Sequence, residues 1–147
     1  MYVHLNTHSI YSAMRGLLSI EDLITLAKNR AMDTLALTDI NGIWGFIKFV
    51  QCCKQANIFP IAGVNLFTSV DEAVILVENQ YGYENLCRLI SSIHKQPDED
   101  LITYLDSNTD GLFFLSHKPH TLYTLKQIIP DTHLFIELCP GLQEQKV

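Results

Sequence analysis

Along the chain, short runs of β-branched and aromatic residues alternate with segments in which apolar residues recur every three or four positions. Alternation of this kind predicts the strands of a largely parallel sheet joined by helices. Residues 2–7 form the first strand-like run. Ser19 then stands as an N-cap with Asp22 three residues on, and Ile20, Leu23, Ile24 and Ala27 make a single apolar stripe. Residues 34–37 predict a short buried strand ending at Thr38-Asp39-Ile40-Asn41-Gly42, whose polar residues and glycine suit a strand-to-helix turn. A second helix carries Phe46, Phe49, Val50 and Cys53 on one face and ends near Asn57. Residues 58–67 and 72–77 read as strands. Gly82 precedes a third helix with Leu86, Leu89, Ile90 and Ile93 on one side. Residues 96–110 are acidic and turn-rich and predict a surface excursion. Residues 111–116 predict a strand, 121–129 a short helix and 133–138 a last strand, closed by Pro140-Gly141. A βα series that stops just after a strand leaves one face of a parallel sheet uncovered, which predicts a fragment of a larger fold. A complete small α/β domain is the alternative.

Composition narrows this picture. With 147 residues, 48% hydrophobic and 18% charged, the chain has the size of one domain and enough apolar side chains for a real core. Its 10 Lys and Arg stand against 16 Asp and Glu, a formal charge of −6 that argues against gripping nucleic-acid phosphates over a broad surface. No cationic flank precedes an apolar stretch at the N-terminus, and no run approaches the roughly eighteen apolar residues of a membrane span. The expectation is a cytoplasmic protein that does not engage membranes. Cys52, Cys53, Cys87 and Cys139 contain no C-x-x-C pair and read as reduced thiols.

Candidate chemistry begins at the N-terminus. His4, Asn6 and His8 alternate, so on a strand they would point to one side, where imidazoles could hold zinc or another transition metal. Polar alternation on a half-exposed strand is the plainer reading of the same string. Asp39 sits at a strand end, a position that suits either catalysis or capping of the turn that follows. Trp44 reads as a core or interface anchor.

Four segments then combine. His-x-x-x-His-Ser-x-Tyr-Ser at residues 4–12, Leu-Ala-Leu-Thr-Asp at 35–39, Ile-x-Pro-Ile-x-Gly at 58–63 and Gly-Tyr-x-Asn-Leu-x-x-Leu at 82–89 follow one another in an order and spacing. Together they resemble the PHP (polymerase and histidinol phosphatase) domain at the N-terminus of bacterial DNA polymerase III alpha subunits. The resemblance implies an α/β fold: an incomplete PHP-type (β/α)₇ barrel of mostly parallel strands alternating with helices. Residues 1–147 would be the first part of that domain, cut before the last barrel strands and before the family's Asp-x-His. Active members carry a metal site at the C-terminal ends of the strands and act as phosphoesterases or proofreading exonucleases.

Carried over position by position, the family's ligands mostly fail. Its first His-x-His falls on Asn6 and His8, the ligand after Tyr-Ser on Arg15, the histidine of Thr-Asp-His on Ile40, and the carboxylate after Ile-x-Gly on Asn65. His117, beside Lys118, approximates a later histidine. No histidine follows the 133–138 strand, where the chain reads Cys139-Pro140-Gly141. His4, Asp39 and His117 are thus weak candidates beside the remnant positions. A divalent cation needs enough neutral or anionic donors to replace its water shell, and each lost ligand charge lowers affinity.

The reading implied is a degenerate PHP domain with no catalytic residue, no metal and no cofactor of its own, in a polymerase whose Mg-dependent nucleotidyl transfer resides elsewhere. Its role would be structural. Its partners would be the remainder of the alpha subunit and proofreading or clamp-associated subunits, with DNA reached through the parent protein. Exposed barrel edges favour a homodimer of the fragment. One rival is a surviving Zn or Mn phosphoesterase or exonuclease built on His4, His8, Asp39 and His117. The other is a non-enzymatic module that binds an anion through Arg15, or binds protein.

Overall fold

The computed structural model describes residues 2–97, 99–105 and 108–138. Helix α1 (Ile20–Asn29) is held at its start by Ser19, whose Oγ accepts from the Asp22 N–H at 3.1 Å and donates to the Asp22 carboxylate at 2.7 Å. Its stripe of Ile20, Leu23, Ile24 and Ala27 is buried, as the spacing requires. Strand β1 (Thr34–Leu37) and α2 (Phe46–Ala56) follow, and α2 ends where Asn57 turns into the left-handed region at φ 57°. Phe49 and Cys53 are its fully buried residues, and burial pushes the Cys53 thiol up to about 12, leaving it an inert packing group.

Strand β2 (Phe59–Phe67) lies parallel to β1, β3 (Glu72–Val77) is antiparallel to both its neighbours, and β5 (Leu134–Ile136) is parallel to β4 (Leu112–Ser116). Four of the five strands therefore run one way. The exception follows from the short β2–β3 connection, where Thr68 N–H bonds the Asp71 carbonyl at 3.0 Å and Asp71 N–H bonds Thr68 Oγ1 at 2.9 Å. A turn that tight returns the chain antiparallel, since a parallel crossover needs a dozen residues or more. Strand order follows chain order, β1-β2-β3-β4-β5, and the sheet of described strands does not close on itself.

Two large apolar clusters back this sheet, beside a smaller one of Ala36, Val74 and Leu76. Ile20, Leu23, Leu35, Leu37, Phe49 and Ile58 form one between α1, α2 and the first strands. Val64, Leu66, Ile75, Leu86, Leu112 and Phe114 belong to the other, under α3 (Gln80–Lys95). No described helix is long and apolar enough to cross a membrane.

The structure corrects five expectations. Residues 2–7 are not a strand: His4 makes an isolated bridge to Leu35, and the His4 and Thr7 carbonyls, three residues apart, accept from Ala36 and Thr38, two apart. The extra residue bulges the segment, so a period-two argument cannot place His4, Asn6 and His8 on one side. Gly82 lies inside α3 rather than before it, because the Asn79 side chain caps the helix by accepting from Gly82 N–H at 3.1 Å. Its missing Cβ lets the backbones touch; a Cβ there would stand 1.8 Å from the Gly111 carbonyl oxygen. The excursion at 96–110 contains α4 (Leu101–Leu105), whose Leu101, Tyr104 and Leu105 join the second cluster at helical spacing. Helix α5 (Pro119–Leu125) starts two residues early because proline suits the first helical turn. Trp44 is 63% exposed and leans on the His94 ring, so it anchors no core. Cys139 and Pro140-Gly141 lie outside the described residues.

Candidate functional site

The strand directions bring one rim together: the ends of β1, β2, β4 and β5 and the start of the reversed β3. Around it stand His8, Asp39, Ile40, Asn65, Glu72, His117 and Glu137.

Asp39 follows β1 and is buried. Its Oδ1 accepts from Ser9 N–H at 2.7 Å and from the Ser12 hydroxyl at 2.6 Å, and its Oδ2 accepts from the Ser9 hydroxyl at 2.7 Å. The carboxylate therefore organises the loop that precedes α1. It does not cap the turn after β1; the Ile40 N–H there goes to Ser12 Oγ at 3.0 Å.

His8 leaves that loop and meets β2, with its Nε2 3.2 Å from the Asn65 amide nitrogen. In this orientation the amide donates and the imidazole accepts, which uses the lone pair a metal would take and puts the His8 proton on Nδ1. Burial lowers the His8 pKa, with the Arg15 guanidinium pushing the same way and Asp39, Glu72 and Glu137 opposing. Asn65 is 2% exposed, and its Oδ1 has no hydrogen-bond partner among the described residues. Ile40 pairs with Asn65 through an isolated backbone bridge and brings no donor atom. Arg15 lies at the end of β2 with its guanidinium carbon 4.5 Å from the centre of the Phe67 ring, a permanent cation held by the aromatic face.

On the far side of the rim, His117 stands between two carboxylates. Its Nε2 is 3.7 Å from Glu72 and its Nδ1 3.8 Å from Glu137, while Lys118 Nζ is 3.4 Å from Glu72. Asn6 reaches across, donating its amide to Glu137 at 2.9 Å and accepting from the Thr38 hydroxyl at 3.2 Å. Glu72 and Glu137 escape a reading of the sequence. Both sit in strand-like runs, and the signal for Glu72 is its place directly after a turn, at the start of a reversed strand. His4 does not join His117; it lies edge-on to Tyr2, with ring centroids 4.8 Å apart, in a groove lined by Leu23, Leu26 and Ala27 of α1.

These residues do not fit the metal that the resemblance implies. The lone pair of His8 is taken by Asn65 and the oxygens of Asp39 by three donors. Ile40 offers nothing, and both carboxylates near His117 face a protein cation or amide. Among the described residues, no group of three His, Cys, Asp or Glu side chains is placed to hold a metal ion. The rim presents amides, paired charges and the exposed face of Arg15.

The sequence profile of the PHP domain matches residues 4–138. A DNA polymerase III subunit alpha from Buchnera aphidicola subsp. Schizaphis graminum is 38% identical over 128 residues, covering 78% of this chain and 11% of the relative. The same subunit from Staphylococcus aureus strain MRSA252 is 37% identical over 97 residues, covering 63% of this chain and 9% of the relative. The chain thus spans about a tenth of the length of the curated relatives it matches. Among solved structures, an amidohydrolase from Chromobacterium violaceum with bound sulfate and no metal aligns with a TM-score of 0.53 at 25% identity, covering 65% of this chain and 34% of that one.

Proposed function

The chain belongs to the PHP-domain family, and on that premise we propose that it is the first part of the PHP domain of a bacterial DNA polymerase III alpha subunit, acting as a scaffold without metal-dependent hydrolysis. One observation carries the loss of chemistry: the His8 imidazole, the best remaining ligand, is held by the Asn65 amide. Without a bound cation there is no water of lowered pKa and no Lewis acid for a phosphate ester. The polymerase reaction and its Mg ions belong to other parts of such a protein. The proposed partners are the remainder of the alpha subunit and proofreading or clamp-associated subunits.

The test is elemental analysis of chain purified without chelator, together with hydrolysis of a nitrophenyl phosphate ester. The reading expects substoichiometric Zn and Mn and no turnover. One equivalent of either metal, with hydrolysis lost in His8→Ala, would overturn it.

A second reading is favoured by the exposed cation of Arg15 on its Phe67 platform and by the sulfate in the amidohydrolase relative: the rim binds an anion. That reading expects millimolar phosphate to raise the melting temperature of the chain and Arg15→Ala to abolish the rise.

A further inference from the structure

The parallel ladder between β1 and β2 resumes beyond the end of β1. Ile40 bridges Asn65: the Asn65 N–H donates to the Asp39 carbonyl at 3.1 Å, and the Asn41 N–H to the Asn65 carbonyl at 3.1 Å. In a regular parallel ladder the next two bonds would run from Phe67 N–H to the Asn41 carbonyl and from a backbone N–H two residues on to the Phe67 carbonyl. The side chain of Asn41 makes both instead. Its Oδ1 accepts from Phe67 N–H at 2.7 Å, and its Nδ2 donates to the Phe67 carbonyl at 2.9 Å. The Asn41 backbone has meanwhile turned into the left-handed region at φ 49°, and its carbonyl meets His94 Nε2 of α3 at 2.8 Å.

One carboxamide thereby stands in for a peptide group. The chain can leave toward α2 while β2 stays extended to its last residue. Asparagine suits the task, because it carries a donor and an acceptor in peptide geometry on a short stem and tolerates positive φ. A residue held in that region marks a built feature, which directs attention to what it holds.

What it holds is Phe67, the residue whose ring lies 4.5 Å from the guanidinium carbon of Arg15. We propose that Asn41 is a positioning residue for anion binding at the rim: by fixing both backbone groups of Phe67 it sets the ring on which the Arg15 cation rests. The inference rests on the reading of the rim as an anion site. Glu72 is the register partner of Phe67 on the β3 side, so the Asn41 amide secures the other side of the same residue. Arg15 itself stands on an exposed stretch of loop, where a guanidinium held on an aromatic face gives up less rotamer freedom when an anion arrives.

The experiment is a double-mutant cycle on the full chain, read by NMR titration with inorganic phosphate. Asn41→Gly keeps a residue at ease with the left-handed backbone and removes both side-chain bonds. Phe67→Leu removes the platform and leaves Asn41 in place. Each is expected to raise the phosphate dissociation constant about two- to fivefold, the range that an exposed cation–π contact supplies. The two together are expected to raise it no further than Phe67→Leu alone, because both act through one ring. Asn41→Ser, which loses the amide but leaves a hydroxyl for Phe67 N–H, is the milder variant if the glycine does not fold, and its affinity is expected between wild type and Phe67→Leu. Melting temperatures without phosphate separate the roles: a purely structural Asn41 would lower the melting temperature of its variants and leave their affinity unchanged. Wild-type affinity in the Asn41 variants overturns the proposal, and so do single effects that multiply in the double variant. A wild type that takes up no phosphate, or uptake indifferent to Arg15→Ala, brings down the anion reading of the rim and this inference with it.

Discussion

Asp39 and Asp71 are both carboxylates at 1% exposure, and each ties together segments far apart in sequence, yet they do so at opposite ends of short connections. Asp39 follows β1 and takes three short hydrogen bonds from one upstream loop. Asp71 precedes β3 and reaches downstream: Oδ2 accepts from Leu101 N–H at the start of α4 at 3.2 Å, and Oδ1 accepts from the Thr121 hydroxyl in α5 at 2.9 Å. The His120 ring adds an outer contact at 3.6 Å. In a catalytic rim a buried carboxylate is an obvious chemical candidate. Here the donors around both show that burial serves construction: one carboxylate builds a loop, the other supplies the capping that a five-residue helix lacks.

The largest effect expected from breaking this pair is in Asp39→Ala, which strands two buried hydroxyls and an amide. The cost should be about 3–5 kcal/mol, read from urea denaturation, with new protease cleavage within residues 9–18. Asp71→Ala should cost less, about 2 kcal/mol, because one of its bonds is long and Thr121 also lies 3.5 Å from Glu72 N–H. Its loss should appear in hydrogen exchange at α4 and α5 while the 9–18 loop stays protected. If both variants opened the same segments, the two carboxylates would not be separate anchors. Arg15→Ala should change stability by about 1 kcal/mol at most, the upper value of an exposed cation–π contact, although it lies on the loop that Asp39 organises.

The smallest effect concerns pH. The folded chain keeps His8 below its ordinary value of 6.5, chiefly by burial. The unfolded chain therefore takes up the proton first as pH falls. This contribution to stability is intact above 6.5 and is lost as pH drops through the lowered folded value. His8→Gln removes it, so the difference in melting temperature between pH 7.5 and pH 5 should be smaller in the variant than in wild type. An equal difference would show that the burial of His8 carries no acid sensitivity.

Much of the fold was legible because it depends on local periodicity. The α1 stripe and its Ser19 cap, the bounds of β1 and β3 and the end of α2 near Asn57 are all consequences of side chains within one or two turns of each other. Legibility failed where a distant partner decides. The α4 segment looked like a polar loop because Leu101, Tyr104 and Leu105 are few among acidic neighbours; packing against the second cluster and the Asp71 contact make it a helix. The bulge at His4 to Thr7 depends on the register against β1, which no run of residues announces.

The candidate site divides along the same line. The amino-acid sequence by itself determined the chemical identities around the rim: an amide at Asn6 and Asn65, a hydrocarbon at Ile40 and a guanidinium at Arg15, which no fold can change. Tertiary structure decided what the surviving groups do. Asp39 faces Ser9 and Ser12, His8 faces Asn65, and Glu72 and Glu137, 65 residues apart in the chain, come to flank His117. A side chain's type is local, but the partner that occupies its lone pairs is set by strand direction and register, and those follow from how the whole sheet packs.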